Sequence, residues 1–282
     1  MAALMALWVT APLFAAPLSQ AGTLRFAPLP MQDRETLFKQ FQPLAVFLEA
    51  RLQVAVSLDY SDNYSEILDK MSRSKVDLAY IGPLPYVELR ARYPHVEPLV
   101  RFREASGATA YTCALAAFPD NFFDPYLAHD RRVALTQPLS TCGYLSVEGL
   151  LRGNGLTLKN NRYRYLGKHD AVALAVIRGE FDAGGLKTGI ARKYAHLGLE
   201  IIEETDPLPA FAMVANTRTV SAQRRDEIRR ALIDLDPAGK DRALLSGWGD
   251  NIRHGAVAAS DDDYDVIRAL LGNARIPSEG NH

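Results

Sequence analysis

Val76-Asp77-Leu78-Ala79-Tyr80-Ile81-Gly82-Pro83 decides how this chain folds. Residues 76–81, apolar apart from Asp77, read as a short strand. Gly82-Pro83 closes it and opens a helix running to about residue 92, because proline is pre-set for a first helical turn. Upstream, residues 24–28 read as a strand and residues 33–52 as a helix, with Leu37, Phe41, Leu44, Phe47 and Leu48 at helical spacing. Pro43 is expected to bend or split that helix. Residues 53–59 alternate through Val54, Val56 and Leu58 as a half-buried strand, and residues 64–72 are helical through Ile67, Leu68 and Met71. This repeated strand–helix–strand order predicts a parallel sheet covered by helices.

Downstream the pattern starts again. Arg103-Glu104-Ala105-Ser106-Gly107-Ala108 is small and polar, and it reads as a linker. Strands are expected at 111–117, 132–136, 162–166, 181–185 and 199–203, with helices at 142–152, 169–178 and 188–196. Asp206-Pro207-Leu208-Pro209 is a second linker. A strand at 212–215 and helices at 222–235, 241–247 and 261–271 follow. Two linkers imply that the chain leaves one lobe, builds another and returns. The expected division is lobe 1 over 22–106, lobe 2 over 107–208, and a return to lobe 1 with C-terminal helices over 209–282. Two α/β lobes with a two-segment hinge enclose a cleft that can close on a ligand.

Composition narrows the function. The chain has 282 residues, 32 basic against 33 acidic, a formal net charge of −1 and 48% hydrophobic content. That is a folded globular protein without the basic face a nucleic-acid binder needs. Two cysteines cannot build a disulfide framework or a cysteine-rich zinc site, and the six histidines lack metal-ligand spacing. No metal or cofactor is expected. G-x-S-x-G, H-E-x-x-H and P-loop motifs are absent from the sequence, and nothing orients a Cys142–His169 nucleophile pair, so no enzyme is expected.

Met1 to Phe14 is apolar except for Thr10, and Ala15-Ala16-Pro17-Leu18-Ser19-Gln20-Ala21-Gly22 follows. A short apolar core with the small-x-small site Ser19-x-Ala21 predicts a secretory signal peptide over residues 1–21, cleaved before Gly22. The stretch falls short of the roughly 20 apolar residues that a membrane span needs. No cysteine follows to carry a lipid. The missing basic residues at its start point to a translation start further upstream. The mature protein is expected to be soluble in an oxidising compartment.

The cleft chemistry favours an anion. Pro138-Leu139-Ser140-Thr141-Cys142-Gly143-Tyr144 lies between a strand and a helix. Ser140 and Thr141 suit an N-cap, and Gly143 lets the backbone approach a ligand. Free N–H groups of a first helical turn, with their partial positive charge, attract an anion. Ordinary capping accounts for the same residues, with Asp170 as a cap in the next helix. His169-Asp170 opens that helix at another strand's carboxyl end, where open α/β sheets bind ligands. Two converging helix starts with serine, threonine and histidine suit a tetrahedral oxyanion.

The sequence resembles the phosphonate-type periplasmic solute-binding proteins, the phosphate, phosphite and phosphonate branch of ABC-transporter binding proteins. The likeness spans nearly the whole mature chain. Ser140-Thr141-Cys142-Gly143-Tyr144 and Gly167-Lys168-His169-Asp170-Ala171-Val172 carry most of it. Phe41-Gln42-Pro43-Leu44, Asp62-Asn63-Tyr64, the segment 76–83 and Ser260-Asp261-Asp262-Asp263-Tyr264 add weaker matches. The resemblance implies a type II periplasmic binding protein, each lobe a sheet flanked by helices, acting as a monomer in the periplasm. It implies a small oxyanion held by Tyr64, Tyr111, Ser140, Thr141, Cys142 and His169, and an ABC permease or a membrane histidine kinase as partner.

Departures from the family pattern bear on the ligand. Relatives that take aminoalkylphosphonates hold the amine with two carboxylates, and Gly189 and Phe211 stand at those positions. A buried ammonium without a carboxylate is severely penalised. The usual G-P-x-S-Y becomes Gly82-Pro83-Leu84-Pro85-Tyr86, where Pro85 brings no donor. Cys142 puts a weak thiol donor where the family has a hydroxyl. Cys113 follows Tyr111 by two residues, so in one strand both face the same way, towards the cleft and Cys142. A disulfide, a thiol site for a soft ligand and two unrelated buried cysteines all remain open. Sensor relatives that serve histidine kinases, for arsenite or tetrathionate, give the thiol reading a precedent.

Overall fold

The computed structural model describes residues 22–282 except Phe122, so the leader expected over residues 1–21 lies outside the described residues. The chain begins with β1 (Leu24–Pro28), α1 (Arg34–Leu52), β2 (Val56–Leu58), α2 (Tyr64–Ser72), β3 (Leu78–Ile81), α3 (Pro83–Arg92) and β4 (Val96–Phe102). It continues through β5 (Ala110–Tyr111), β6 (Cys113–Ala117), β7 (Arg132–Leu135), a π-helical turn at Thr141–Leu145 and α4 (Ser146–Gly153). Then come β8 (Arg162–Tyr165), α5 (His169–Ile177), β9 (Ala183–Lys187), α6 (Thr188–Lys193), β10 (Glu200–Glu204) and β11 (Leu208–Pro209). β12 (Ala212–Asn216), α7 (Ala222–Ile233), α8 (Arg242–Leu245), β13 (Ala256–Ala258) and α9 (Asp265–Leu271) complete it.

The strands form two sheets, in the orders β13-β4-β12-β3-β1-β2 and β10-β6-β9-β7-β8, and one two-stranded ribbon. In the ribbon Tyr111 of β5 lies opposite Leu208 of β11, and Ala110 opposite Pro209, so the two crossings between the lobes pair with one another. The sheets are mixed, which corrects the expectation of a parallel sheet. Parallel pairing is confined to β1, β2 and β3 in the first sheet and β7, β8 and β9 in the second. β12 runs antiparallel to β3, with Ala212 opposite Ile81. It enters the sheet from the hinge, at the end where β3 leaves it, so it has to run the other way.

α1 is one unbroken helix, although it contains Pro43. A proline inside a helix costs about 3 kcal/mol. Leu37, Phe41, Leu44 and Leu48 are almost wholly buried on its inner face, and each such side chain contributes about 1.5–3 kcal/mol. Burial therefore outweighs the lost bond. Asp33 caps the helix start, accepting from the Thr36 N–H at 2.9 Å. The strand expected over 111–117 is divided at Thr112 into β5 and β6, so Tyr111 and Cys113 belong to different sheets. β4 and β13 have no counterpart in the sequence reading. Pro98 argues against a strand, and β4 accommodates it beside a register shift opposite Met213 and Val214.

The returning segment does not stay with the first lobe. β13 joins the first sheet, but α9 lies against both α3 and α4. Beyond it the tail runs along β8, the edge strand of the second sheet. Asn281 accepts from the Tyr163 N–H at 2.7 Å and donates to the Asn161 carbonyl at 2.9 Å. The Tyr165 hydroxyl donates to the Pro277 carbonyl at 3.1 Å.

Candidate functional site

A cavity of about 80 Å³ lies between the two sheets, and Tyr64, Tyr111, Ser140, Thr141, Cys142, His169 and Phe211 all line it. Cys113 is buried and does not line it. Each side chain arrives from the end of an element. Tyr64 is the first residue of α2, capped by Asn63, whose Oδ1 accepts from the Glu66 N–H at 3.0 Å. Tyr111 comes from the hinge ribbon. Burial holds the phenols of Tyr64 and Tyr111 well above their ordinary range, so both are neutral O–H groups at physiological pH.

The 138–144 segment realises the capping reading of its sequence. Ser140 caps the π-helical turn, its Oγ accepting from the Gly143 N–H at 3.0 Å. Gly143 is needed for a different reason from the expected one, since a side chain there would collide with Thr136 rather than crowd a ligand. The Thr141 hydroxyl reaches across the gap and accepts from the Leu84 N–H at 3.1 Å. Leu84 belongs to the first turn of α3, where N–H groups have no partner within the helix. A second cross-lobe bond runs from the Tyr64 N–H to Gln137 Oε1, also 3.1 Å. Cys142 is bonded to Cys113 as a disulfide, which ties β6 to the π-helical turn. Both thiols are consumed, and that overturns the soft-ligand thiol site and the pair of unrelated cysteines.

His169 opens α5 and its Nδ1 accepts from the Lys187 N–H at 3.3 Å. Its proton therefore sits on Nε2. Burial pushes the imidazole down to about 4; the Lys187 charge adds to this and Asp170 opposes it. A neutral ring with a free Nε2–H is a hydrogen-bond donor without a formal charge. Asp170 is not the cap of α5, because Lys168 holds that position. Its carboxylate instead accepts from the Tyr194 hydroxyl at 2.8 Å and from Lys193 at 3.2 Å.

Three aromatic rings form the other wall. Phe211 stacks on Tyr80 at 5.3 Å and 21°, and leans on Tyr111 at 5.7 Å. A side chain at Gly189 would meet nothing within 4 Å. Pro85 lines the cavity without a donor. The sequence reading missed Lys187, which also lines it. β9 was expected to end at residue 185, and the extra two residues bring Lys187 to the strand's carboxyl end at the cleft. A cation just after a strand, in the lobe that carries the Ser-Thr turn, was the available signal. Among the described residues no cluster of His, Cys, Asp and Glu could hold a metal ion.

Two α/β lobes, a paired hinge and a cavity closed between them define a periplasmic binding protein fold. The family model for the phosphonate periplasmic substrate-binding protein of ABC transporters matches residues 26–264, and the chain belongs to that family. Its members are substrate-binding components and not enzymes. The phosphate-import protein PhnD of Mycolicibacterium smegmatis is 27% identical over 173 residues, which cover 57% of this chain and 54% of that relative. The phosphonates-binding periplasmic protein of Escherichia coli is 25% identical over 248 residues, covering 81% of this chain and 71% of the relative. The structure of PhnD1 from Prochlorococcus marinus in complex with methylphosphonate superimposes with a TM-score of 0.77 at 20% identity, covering 89% of this chain and 97% of the other.

Proposed function

We propose that this protein captures a small phosphorus oxyanion, of the size of phosphate, phosphite or methylphosphonate, and presents it to an ABC permease. The observation that carries this is the convergence of Tyr64, Tyr111, Ser140, Thr141 and His169 on one cavity of about 80 Å³. Charge-assisted hydrogen bonds contribute about 1.5–3 kcal/mol each, and micromolar binding requires about 8.2 kcal/mol. A few such bonds reach that level. Three relatives support the ligand class: a phosphate importer, a phosphonates-binding protein and a methylphosphonate complex. Residues 22–106 with the returning segment from 209 through β13, and residues 107–208 with the C-terminal tail on β8, act as the two lobes, pivoting on the β5–β11 ribbon.

The reading includes export to the periplasm by cleavage before Gly22 and action as a monomer. The apolar leader and its Ser19-x-Ala21 site support the first. Mass spectrometry of a periplasmic fraction should find a chain starting at Gly22; an intact Met1 in the cytoplasm would sink the export claim. A sensor of arsenite or sulfur oxyanions feeding a histidine kinase lacks its main support, because the disulfide leaves neither thiol available. Isothermal titration with phosphate, phosphite, methylphosphonate, sulfate, thiosulfate and arsenite tests the assignment. A phosphorus oxyanion should bind at micromolar concentration or better, and a response confined to arsenite or a sulfur oxyanion would overturn it.

A further inference from the structure

The ammonium group of Lys187 sits in a site built for a cation. Its Nζ lies 2.7 Å from both carboxylate oxygens of Glu104. It also stands 5.0 Å from the centroid of the Tyr111 ring and 5.9 Å from that of Phe211. A carboxylate with two aromatic faces is a recognition site for an alkylammonium ion. Here the protein's own side chain fills it. The pair is largely withdrawn from water, with side-chain exposures of 20% and 25%. Lys187, Tyr111 and Phe211 all line the proposed oxyanion cavity, so the cage is part of the same space.

We propose that Lys187 is the built-in occupant of an ammonium subsite, and that it makes the cleft select oxyanions without a cationic tail. The proposal rests on the oxyanion reading above and names the substrate class within it. A ligand ammonium entering beside the rings meets the Lys187 charge and a Glu104 carboxylate already engaged on both oxygens. Like charges held close in a half-desolvated space repel strongly. Removing the Lys187 side chain reverses the preference, because Glu104 is then left facing two rings without a partner, and a ligand amine supplies the missing charge. The oxyanion end survives the change, since His169 is positioned by the main-chain N–H of Lys187 and not by its side chain.

The test compares methylphosphonate with 2-aminoethylphosphonate by isothermal titration in wild type, Lys187→Met and the double variant Lys187→Met/Glu104→Gln. Wild type should bind methylphosphonate at least tenfold more tightly. Lys187→Met should shift that ratio at least tenfold towards 2-aminoethylphosphonate, and the double variant should lose the shift. Lys187→Gln reads the same ratio if the methionine variant does not fold. A wild type that prefers 2-aminoethylphosphonate, or a ratio unmoved by removing Lys187, overturns the plug and leaves the oxyanion assignment standing. A wild type that binds no phosphorus oxyanion overturns both.

Discussion

The Thr141 hydroxyl accepts a hydrogen bond from the Leu84 amide at 3.1 Å, joining the second lobe to the first turn of α3 in the first. With the Tyr64 amide on Gln137, it makes two bonds that cross the gap between the lobes. They spend unpartnered helix-start N–H groups on closure, so the same atoms that could draw in an anion also hold the lobes together.

Closure should therefore contribute to affinity through a residue outside the cavity. Gln137 does not line it, and a neutral hydrogen bond is worth about 0.5–1.5 kcal/mol. Gln137→Leu should weaken oxyanion binding about two- to tenfold. Thr141→Val removes both a closure bond and a cavity hydroxyl, and should weaken it about tenfold or more. Titration calorimetry with circular dichroism as the folding control measures both. Unchanged affinity in Gln137→Leu would show that these bonds do not hold the closed state.

His169 gives the protein an acid-side weakness. Its pKa falls from 6.5 to about 4 on folding, chiefly through burial. The unfolded chain thus binds the extra proton between those values, and the protonated form favours unfolding. This contribution leaves stability untouched above about pH 6.5, erodes it as the pH falls towards about 4, and is complete below that. Melting temperatures of wild type and His169→Gln, taken from pH 7 to pH 4, should diverge in slope across that window. Parallel curves would remove His169 from the acid response.

Ser140, Thr141 and His169 were legible because each lies where a strand gives way to a helix, whereas Tyr64 and Tyr111 were pointed to only by the family resemblance; all five line one cavity. Strand direction was not legible, because β12 has the same apolar character in either direction and only its entry from the hinge sets its sense. Lys187 was missed for a related reason. Ala183-Gly184-Gly185-Leu186-Lys187 carries two glycines, which weaken any strand signal, yet each sits where a side chain would collide with a neighbouring helix or turn. The glycines are packing requirements, and packing is a tertiary property.

The Cys113–Cys142 disulfide spans 29 residues. A loop of that size stabilises a protein by about 3–4 kcal/mol through loss of unfolded-state freedom, equivalent to roughly 10 °C in melting temperature for a protein of this size. Reduction, or the double variant Cys113→Ser/Cys142→Ser, should produce a fall of that order while leaving the ranking of oxyanions intact. Thermal melts and a ligand panel under oxidising and reducing conditions read both quantities. A reduced protein that gains arsenite binding would restore the thiol site that the disulfide excludes.

The tail tests how the second sheet protects its edge. An exposed edge strand offers unpaired backbone groups to other chains, and in β8 the Tyr163 N–H and carbonyl are both taken by Asn281, the carbonyl at 3.1 Å. Gly280 fits there because a side chain at that position would run into the Tyr163 carbonyl. Asn281→Ala removes two side-chain bonds, to Tyr163 and Asn161, and should cost about 1–3 kcal/mol, of which part is the Tyr163 amide left without a partner. Deleting residues 275–282 should go further, lowering the melting temperature by several degrees and exposing the edge, with dimers or larger species visible by size-exclusion chromatography. Neither change touches the cavity, so oxyanion affinity of the monomer fraction should stay within about twofold. A truncated chain that melts with the wild type and stays monomeric would mean that β8 needs no cover from the tail.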